Sequence, residues 1–291
     1  MTLPPSASAP EASAGPRVLT SYGSTEHLRV TLLSDKPGKV EFGGSAKAVV
    51  CVHVGPSVEM WCQRGGETHH GTAIHGDIDI IPPHTSGTWE LRGRDTALSI
   101  AINFELLKKM AADLGRNPER LLLRNRFQVR DAQLEHLAWA VKEEMERGYP
   151  SGPLYLEGIA MALAARLVRD HSSFTFGFSP LRGQMAPRRL KAVLSYIEDR
   201  LNQSICLDEV AQIAGLSLSH FKVQFRRSVG MPAHRYVIQR RVERAAWLLR
   251  TSDLAISQVA LEAGFAHQSH LAVHMRRLLG LSPREVRNNA H

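Results

Sequence analysis

From residue 187 onward one pattern occurs twice. In the first copy, Val210-Ala211-Gln212-Ile213-Ala214-Gly215 leads into Ser219-His220-Phe221, then Phe225-Arg226-Arg227, then Gly230. In the second, Val259-Ala260-Leu261-Glu262-Ala263-Gly264 leads into Ser269-His270-Leu271, then Met275-Arg276-Arg277, then Gly280, with one extra residue in the turn. A short helix, a Gly turn and a second helix ending in a basic pair is the pattern of a helix-turn-helix DNA reader. Two copies imply a reader that covers two stretches of groove.

Charge falls in the same place. Residues 187–291 hold 16 Lys/Arg and 8 Asp/Glu, a formal net of +8. The whole chain has 36 and 28, so residues 1–186 carry 20 of each and sum to zero. A basic surface confined to the repeat is the footprint of a polyanion partner.

The 291 residues, 43% of them hydrophobic, suffice for two domains with proper cores. No apolar run approaches the roughly 18–20 residues that span a bilayer, so no membrane partner is expected. Residues 1–16 are rich in Pro, Ser and Ala and lack the features of a secretory signal, so they are expected to be a disordered tail. Cys51, Cys62 and Cys206 are widely spaced and odd in number. They fit a reduced, cytoplasmic protein without a disulfide framework, and no CxxC marks a zinc site.

Residues from about 28 to 103 read as short strands between Gly and Pro turns, including the near-continuous run Ala48 to Val54 and the alternating segment Gly76 to Pro83. Helical spacing follows in Phe104 to Leu114, Asp131 to Gly148 and Leu154 to His171. The last two form an amphipathic pair expected to pack on the β unit or to supply a dimer face. Residues 172–186 break the periodicity with Pro, Gly and Ser and read as a linker whose Phe174, Phe176 and Phe178 are suited to packing. Residues 187–291 are helical throughout.

In each copy of the repeat, alternate faces of the second helix have different jobs. Phe221 and Phe225, like Leu271 and Met275, are four apart and suited to anchoring it in a core. The outward set is then Ser219, His220, Lys222, Val223, Arg226 and Arg227 in the first copy. In the second it is His267, Gln268, Ser269, Ala272, Val273, Arg276 and Arg277. Lys222 suits guanine acceptors and Gln268 a bidentate contact with adenine. The four arginines lie nearer the helix ends and suit phosphates. His220 and His270 suit a structural or phosphate-near role.

These residues together resemble the AraC/XylS family of transcription regulators. The resemblance rests on Leu207-Asp208-Glu209-Val210-Ala211, Ala214-Gly215-Leu216-Ser217, Ser219-His220-Phe221, Phe225-Arg226-Arg227 and Gly230. It continues through Arg241-Val242-Glu243-Arg244-Ala245, Leu248-Leu249, Ala263-Gly264-Phe265, Ser269-His270-Leu271 and Gly280-Leu281-Ser282-Pro283. It implies a seven-helix DNA-binding domain whose two reading helices enter successive major-groove segments. The chain departs from the family pattern at Val223 and Val273, where many members have Arg, and at Leu271 and Met275, where an aromatic is usual. Gly230-Met231-Pro232 is one residue shorter than the usual turn. The two valines shift the expected affinity toward phosphates, thymine methyls and DNA shape.

The N-terminal half is similar to the cupin-like sensor domain of such regulators, through Gly76 to Pro83. That similarity implies a barrel mouth for a small effector, with Trp61, His69, His75, His84 and Trp89 as candidate lining residues. Enzymatic cupins need a His-x-His, a Glu and a later His. Here His69 and His70 are adjacent and the next Glu is Glu90, so no metal, cofactor or catalytic residue is expected.

The expected fold class is α+β multidomain: an N-terminal cupin-like β-barrel with a helical pair, and a C-terminal all-α domain of seven helices with two helix-turn-helix motifs. The expected divisions are a tail at 1–16, a sensor and dimerisation domain at 17–171, a linker at 172–186 and a DNA-binding domain at 187–291. The expected function is sequence-specific regulation of transcription, as an activator by the family's commoner mode. Double-stranded promoter DNA is the partner, with RNA polymerase engaged on activation, a small effector at the N-terminal domain and a homodimer as further partners. The alternatives are a cupin-type metal enzyme fused to DNA-binding helices, an architectural DNA binder and a repair methyltransferase. The last needs a Cys-rich zinc site that Cys51 and Cys62 alone do not make.

Overall fold

A computed structural model describes residues 16–22, 25–174 and 184–288. Most of the expected tail and most of the expected linker, including Phe176 and Phe178, lie outside the described residues.

Ten strands among the described residues form two antiparallel sheets. They are β1 (Val18–Tyr22), β2 (Leu28–Asp35), β3 (Gly38–Phe42), β4 (Ala48–His53), β5 (Val58–Arg64), β6 (Glu67–Ala73), β7 (Ile78–Ile81), β8 (Gly87–Leu91), β9 (Asp95–Ile102) and β10 (Arg126–Val129). The larger sheet runs β1-β2-β9-β4-β7-β10 and the smaller runs β3-β8-β5-β6. The two are not joined into one hydrogen-bonded ring, so the expected barrel is realised as facing sheets with a space between them.

Alternation along the strands sorts the larger sheet into two faces. Val30, Val50, Val52, Ile78, Ile80, Leu98, Ile100 and Ile102 are buried on one face. They join a core with α1 (Phe104–Asp113), α2 (Ala132–Glu146) and α3 (Gly152–Asp170). Three helices therefore cover this face where an amphipathic pair was expected. Phe174 packs against the same core. The other face, with Thr31, Leu33, Asp35, Cys51, His53, Asp95, Ala97 and Ser99, looks into the space between the sheets.

Asp131 ties the helices together. Its carboxylate caps α2 by accepting from the backbone N–H of Gln133 at 3.0 Å and Leu134 at 3.2 Å. It also meets Arg166 of α3 at 2.8 Å and His171 at 2.8 Å. Burial opposes its ionisation, but His171 and Arg166 outweigh that and hold the carboxyl down at about 2. Asp131→Ala should cost about 3 kcal/mol at pH 7, because it strands a cap and a largely buried ion pair. A depressed folded pKa stabilises fully above the unfolded value of about 4, and that contribution fades as pH falls toward the folded one. Urea denaturation should therefore show the gap between parent and variant narrowing from pH 7 to pH 3.

Residues 184–288 contain seven helices among the described residues, the expected number: α4 (Pro187–Asp199), α5 (Leu207–Ile213), α6 (Leu218–Val229), α7 (Ala233–Thr251), α8 (Ile256–Glu262), α9 (Gln268–Leu279) and α10 (Pro283–Asn288). They enclose two separate cores. Leu190, Val193, Leu194, Val210, Phe221 and Phe225 belong to the first, and Val259, Ala260, Leu271, Met275 and Val286 to the second. The long helix α7 serves both, giving Tyr236 and Val237 to the first core and Val242, Ala245 and Leu249 to the second. No helix among the described residues is long and apolar enough to cross a membrane.

Candidate nucleic-acid interface and internal cavity

Each repeat anchors its second helix in the same way, but only the first caps it with a side chain. Ser217 caps α6, its hydroxyl accepting from the His220 backbone N–H. Phe221 and Phe225 are wholly buried beneath α6, as are Leu271 and Met275 beneath α9. These anchors turn the opposite faces outward. Ser219, His220, Lys222, Val223, Arg226 and Arg227 are exposed on α6. On and beside α9, His267, Gln268, Ser269, His270, Val273, Arg276 and Arg277 are exposed and Ala272 is half-buried. Val223 is 50% exposed and Val273 63%, so each reading face carries an apolar patch that water contacts until something covers it. Arg226, Arg227, Arg276 and Arg277 lie in the last turns, where the helix dipole favours cations.

The two histidines of the repeat are engaged locally. His220 Nδ1 lies 3.2 Å from the Ser217 hydroxyl. His270 Nε2 lies 3.1 Å from His274 Nε2, and its ring meets Phe265 edge-on.

The space between the sheets is a cavity of about 260 Å³. Its smaller-sheet wall is apolar, with Val40, Phe42, Met60, Trp89 and Leu91. Its larger-sheet wall is mixed, with Leu33, Val49, Ile81 and Ala97 beside Asp35, Asp79 and Asp95, and Asp77 joins it from the β6–β7 turn. Arg64 reaches across from β5 to meet Asp79 at 3.0 Å, and Arg130 meets Asp77 at 3.0 Å. His53 places Nδ1 2.7 Å from Asp95 and Nε2 2.7 Å from the Pro56 carbonyl. Burial works against its charge, but Asp95 prevails and raises its pKa, and both ring nitrogens face acceptors.

Of the five residues singled out for an effector, Trp89 lines this cavity. The other four lie elsewhere. Trp61 alternates with Met60, so it faces the far side of β5, where it stacks on His70 at 4.2 Å. His69 stacks on Phe127 at 5.2 Å, and His84 sits in a loop at φ +58°. Strand parity separates His69 from His70, as adjacent positions require.

His75 lies in the turn between β6 and β7, at a seam with the helical part. It is buried, its Nε2 is 2.9 Å from Glu243 of α7, and its ring stacks on Trp139 at 4.7 Å. Burial and the Arg240 guanidinium together lower its pKa to about 4, and its other nitrogen, Nδ1, lies 3.2 Å from the Val54 carbonyl oxygen. Beside it, Ile74 joins the first helical core. Gly76 takes φ +80°, and a Cβ there would lie 2.4 Å from Arg130 Nη1 and 2.5 Å from Glu135 Oε1, so a larger residue would be strained and would have to displace the ends of both side chains. Asp77, the next residue, is cavity wall. Four consecutive residues thus touch the cavity at one end and the helical part at the other. Gln128 makes a second bridge: it lines the cavity, and its Oε1 accepts from Lys191 of α4 at 2.6 Å.

A helix-turn-helix domain model matches residues 210–289. The HTH-type transcriptional activator AarP of Providencia stuartii is 31% identical over 113 residues, which are 39% of this chain and 84% of AarP. The HTH-type transcriptional activator RhaS of Klebsiella pneumoniae (strain 342) is 35% identical over 99 residues, 34% of this chain. That match spans 36% of RhaS, so this chain covers little more than a third of it. Among solved structures, an AraC-type transcriptional regulator from Chromobacterium violaceum is 25% identical, with 35% of this chain and 92% of that one covered and a TM-score of 0.34.

Proposed function

The chain belongs to the AraC/XylS family of transcription regulators, and from that premise we propose that it activates transcription by reading a specific promoter site through α6 and α9. The observation that carries this reading is the pair of exposed helix faces, each fixed from below by two wholly buried anchors, in the part of the chain that holds all the net charge. Base contacts fall to Lys222, Gln268, Ser219, Ser269 and His267, with thymine methyls against Val223, Ala272 and Val273. The four arginines and His220 take phosphates. RNA polymerase is the partner on activation. A homodimer would use α3, where Leu154 is 84% and Met161 49% exposed.

The test is a titration of the full chain against promoter fragments from genes beside its own, with random-sequence DNA as competitor. A specific reader should prefer its site by about a thousandfold or more. A ratio near one would leave only an architectural role. Lys222→Ala or Gln268→Ala should weaken site binding by about 1–3 kcal/mol and relax preference at a few base pairs. Unchanged discrimination in both variants would remove these residues from base reading.

Control comes from a small molecule in the cavity between the sheets. Support lies in the β6–β7 turn, where the cavity wall residue Asp77 is two residues from His75 and its contact with α7. An occupant that moves Asp77 alters the seat of the DNA-binding unit.

A further inference from the structure

The cavity wall has an uneven charge that defines its occupant. Four aspartates line it, and among the described lining residues there is no Lys or Arg. Three of the four have cationic partners: Arg130 for Asp77, Arg64 for Asp79 and His53 for Asp95. Asp35 is different. It accepts a hydrogen bond from the Arg17 backbone N–H at 2.8 Å, but no cation pairs with it among the described residues. It also sits directly opposite Asp95 in the β2–β9 register, an arrangement that like charges disfavour. Burial and the neighbouring Asp95 push its carboxyl above the usual range. A positive charge placed here would meet an unmatched carboxylate in a partly dry site, where it is worth more than in water.

A second observation also points to an occupant. Gln128 is nine-tenths buried, lines the cavity and holds its backbone at φ +46°, a strained value for a residue with a side chain. Its Nε2 is a buried donor with no acceptor among the described residues. Leaving such a donor unmet costs about 1–3 kcal/mol, which an acceptor on a bound molecule would offset. The opposite wall, with Phe42 and Trp89, offers aromatic surface for an apolar body.

We propose that the cavity takes a small, largely apolar molecule with one cationic nitrogen, an amine or amidine, seated against Asp35 and Asp95, and a hydrogen-bond acceptor near Gln128. This rests on the reading of the cavity as the regulatory site and adds the class of ligand. An anionic ligand would bring its carboxylate toward the unmatched Asp35 and is disfavoured by that charge.

Three probes of one shape decide between these outcomes in isothermal titration of the full chain. They are tyramine, its neutral counterpart tyrosol and its carboxylate counterpart 3-(4-hydroxyphenyl)propionate. Tyramine should bind about tenfold tighter than tyrosol or better, a gap of about 1.4 kcal/mol, and the propionate weakest of all. Asp35→Asn should bring tyramine down to the level of tyrosol. The proposal is overturned by a propionate that binds as well as tyramine, by a preference that survives Asp35→Asn, or by no tyramine binding at millimolar concentration. Ala97→Phe fills the cavity, with Ser99→Leu as a second filling variant should the first not fold. If tyrosol or the propionate binds the parent but not the filled variant, the cavity is a ligand site and only the cation preference falls. If the probes bind both alike, the cavity reading falls with it.

Discussion

Replacing Arg240 by Ala should destabilise the chain by about 3–5 kcal/mol, among the largest effects expected of any single substitution here. Arg240 is 4% exposed. Its Nε and Nη2 meet the two carboxylate oxygens of Glu198 at 2.7 and 3.0 Å, and its Nη1 pairs with Glu243. Burial pushes Glu198 toward protonation, and Arg240 reverses that, holding it below the usual carboxylate range. Without the guanidinium, the buried Glu198 carboxylate loses the partner that keeps it ionised, and the half-buried Glu243 loses one of its partners. The loss is mostly that of stranded charge and not of the ion pair's own worth. The double variant Arg240→Met with Glu198→Leu should therefore recover much of it. Guanidinium denaturation of the parent, the single and the double variant measures this. A double variant as unstable as the single one would show that the stranded carboxylate is not the cause.

Gly264→Ala should be comparably severe, at about 2–5 kcal/mol, through backbone and space together. Gly264 takes φ +85°, and a Cβ there would lie 1.9 Å from the Leu201 carbonyl oxygen and 2.7 Å from Arg241 Nε. Neither can yield easily, since Arg241 donates to that same carbonyl at 2.9 Å and also to the Gln203 carbonyl. The equivalent glycine of the first copy, Gly215, has φ +63° but nothing within 4 Å of a Cβ. Gly215→Ala should cost only about 1 kcal/mol. Melting temperatures of the two variants test the contrast. Equal losses would mean that conformation alone governs both turns.

That contrast also marks what could be read in advance. The two copies are nearly parallel in sequence, so both Gly turns, both anchor pairs and both exposed faces were legible from helical spacing. The crowding at Gly264 was not, because Leu201 and Arg241 reach it only after folding. The N-terminal part divides in the same way. The strands around Val50, Ile80 and Ile100 show as β-branched runs, yet such runs do not say which face takes helices and which lines a cavity. Asp35 and Asp95 become neighbours only through the β2–β9 register. Aromatic and histidine residues on the strands therefore point to Trp89, while nothing local in the sequence singles out the aspartates. Strand parity could have set Trp61 apart from Met60, had the inward face been known. His75, Gln128, Lys191 and Glu243 carry no local signal, because their roles arise from two separately patterned parts meeting at a seam.

Helix α7 serves both helical cores without a break. At roughly 1.5 Å per residue, its 19 residues make a rod about 28 Å long, close to one turn of DNA at about 34–36 Å. The two reading helices are therefore held in phase by a stiff gauge and not by a tether. A promoter matched to this chain should therefore have its two contacted segments about one turn apart, and about five base pairs added between them, half a turn, would put one segment on the opposite face of the double helix.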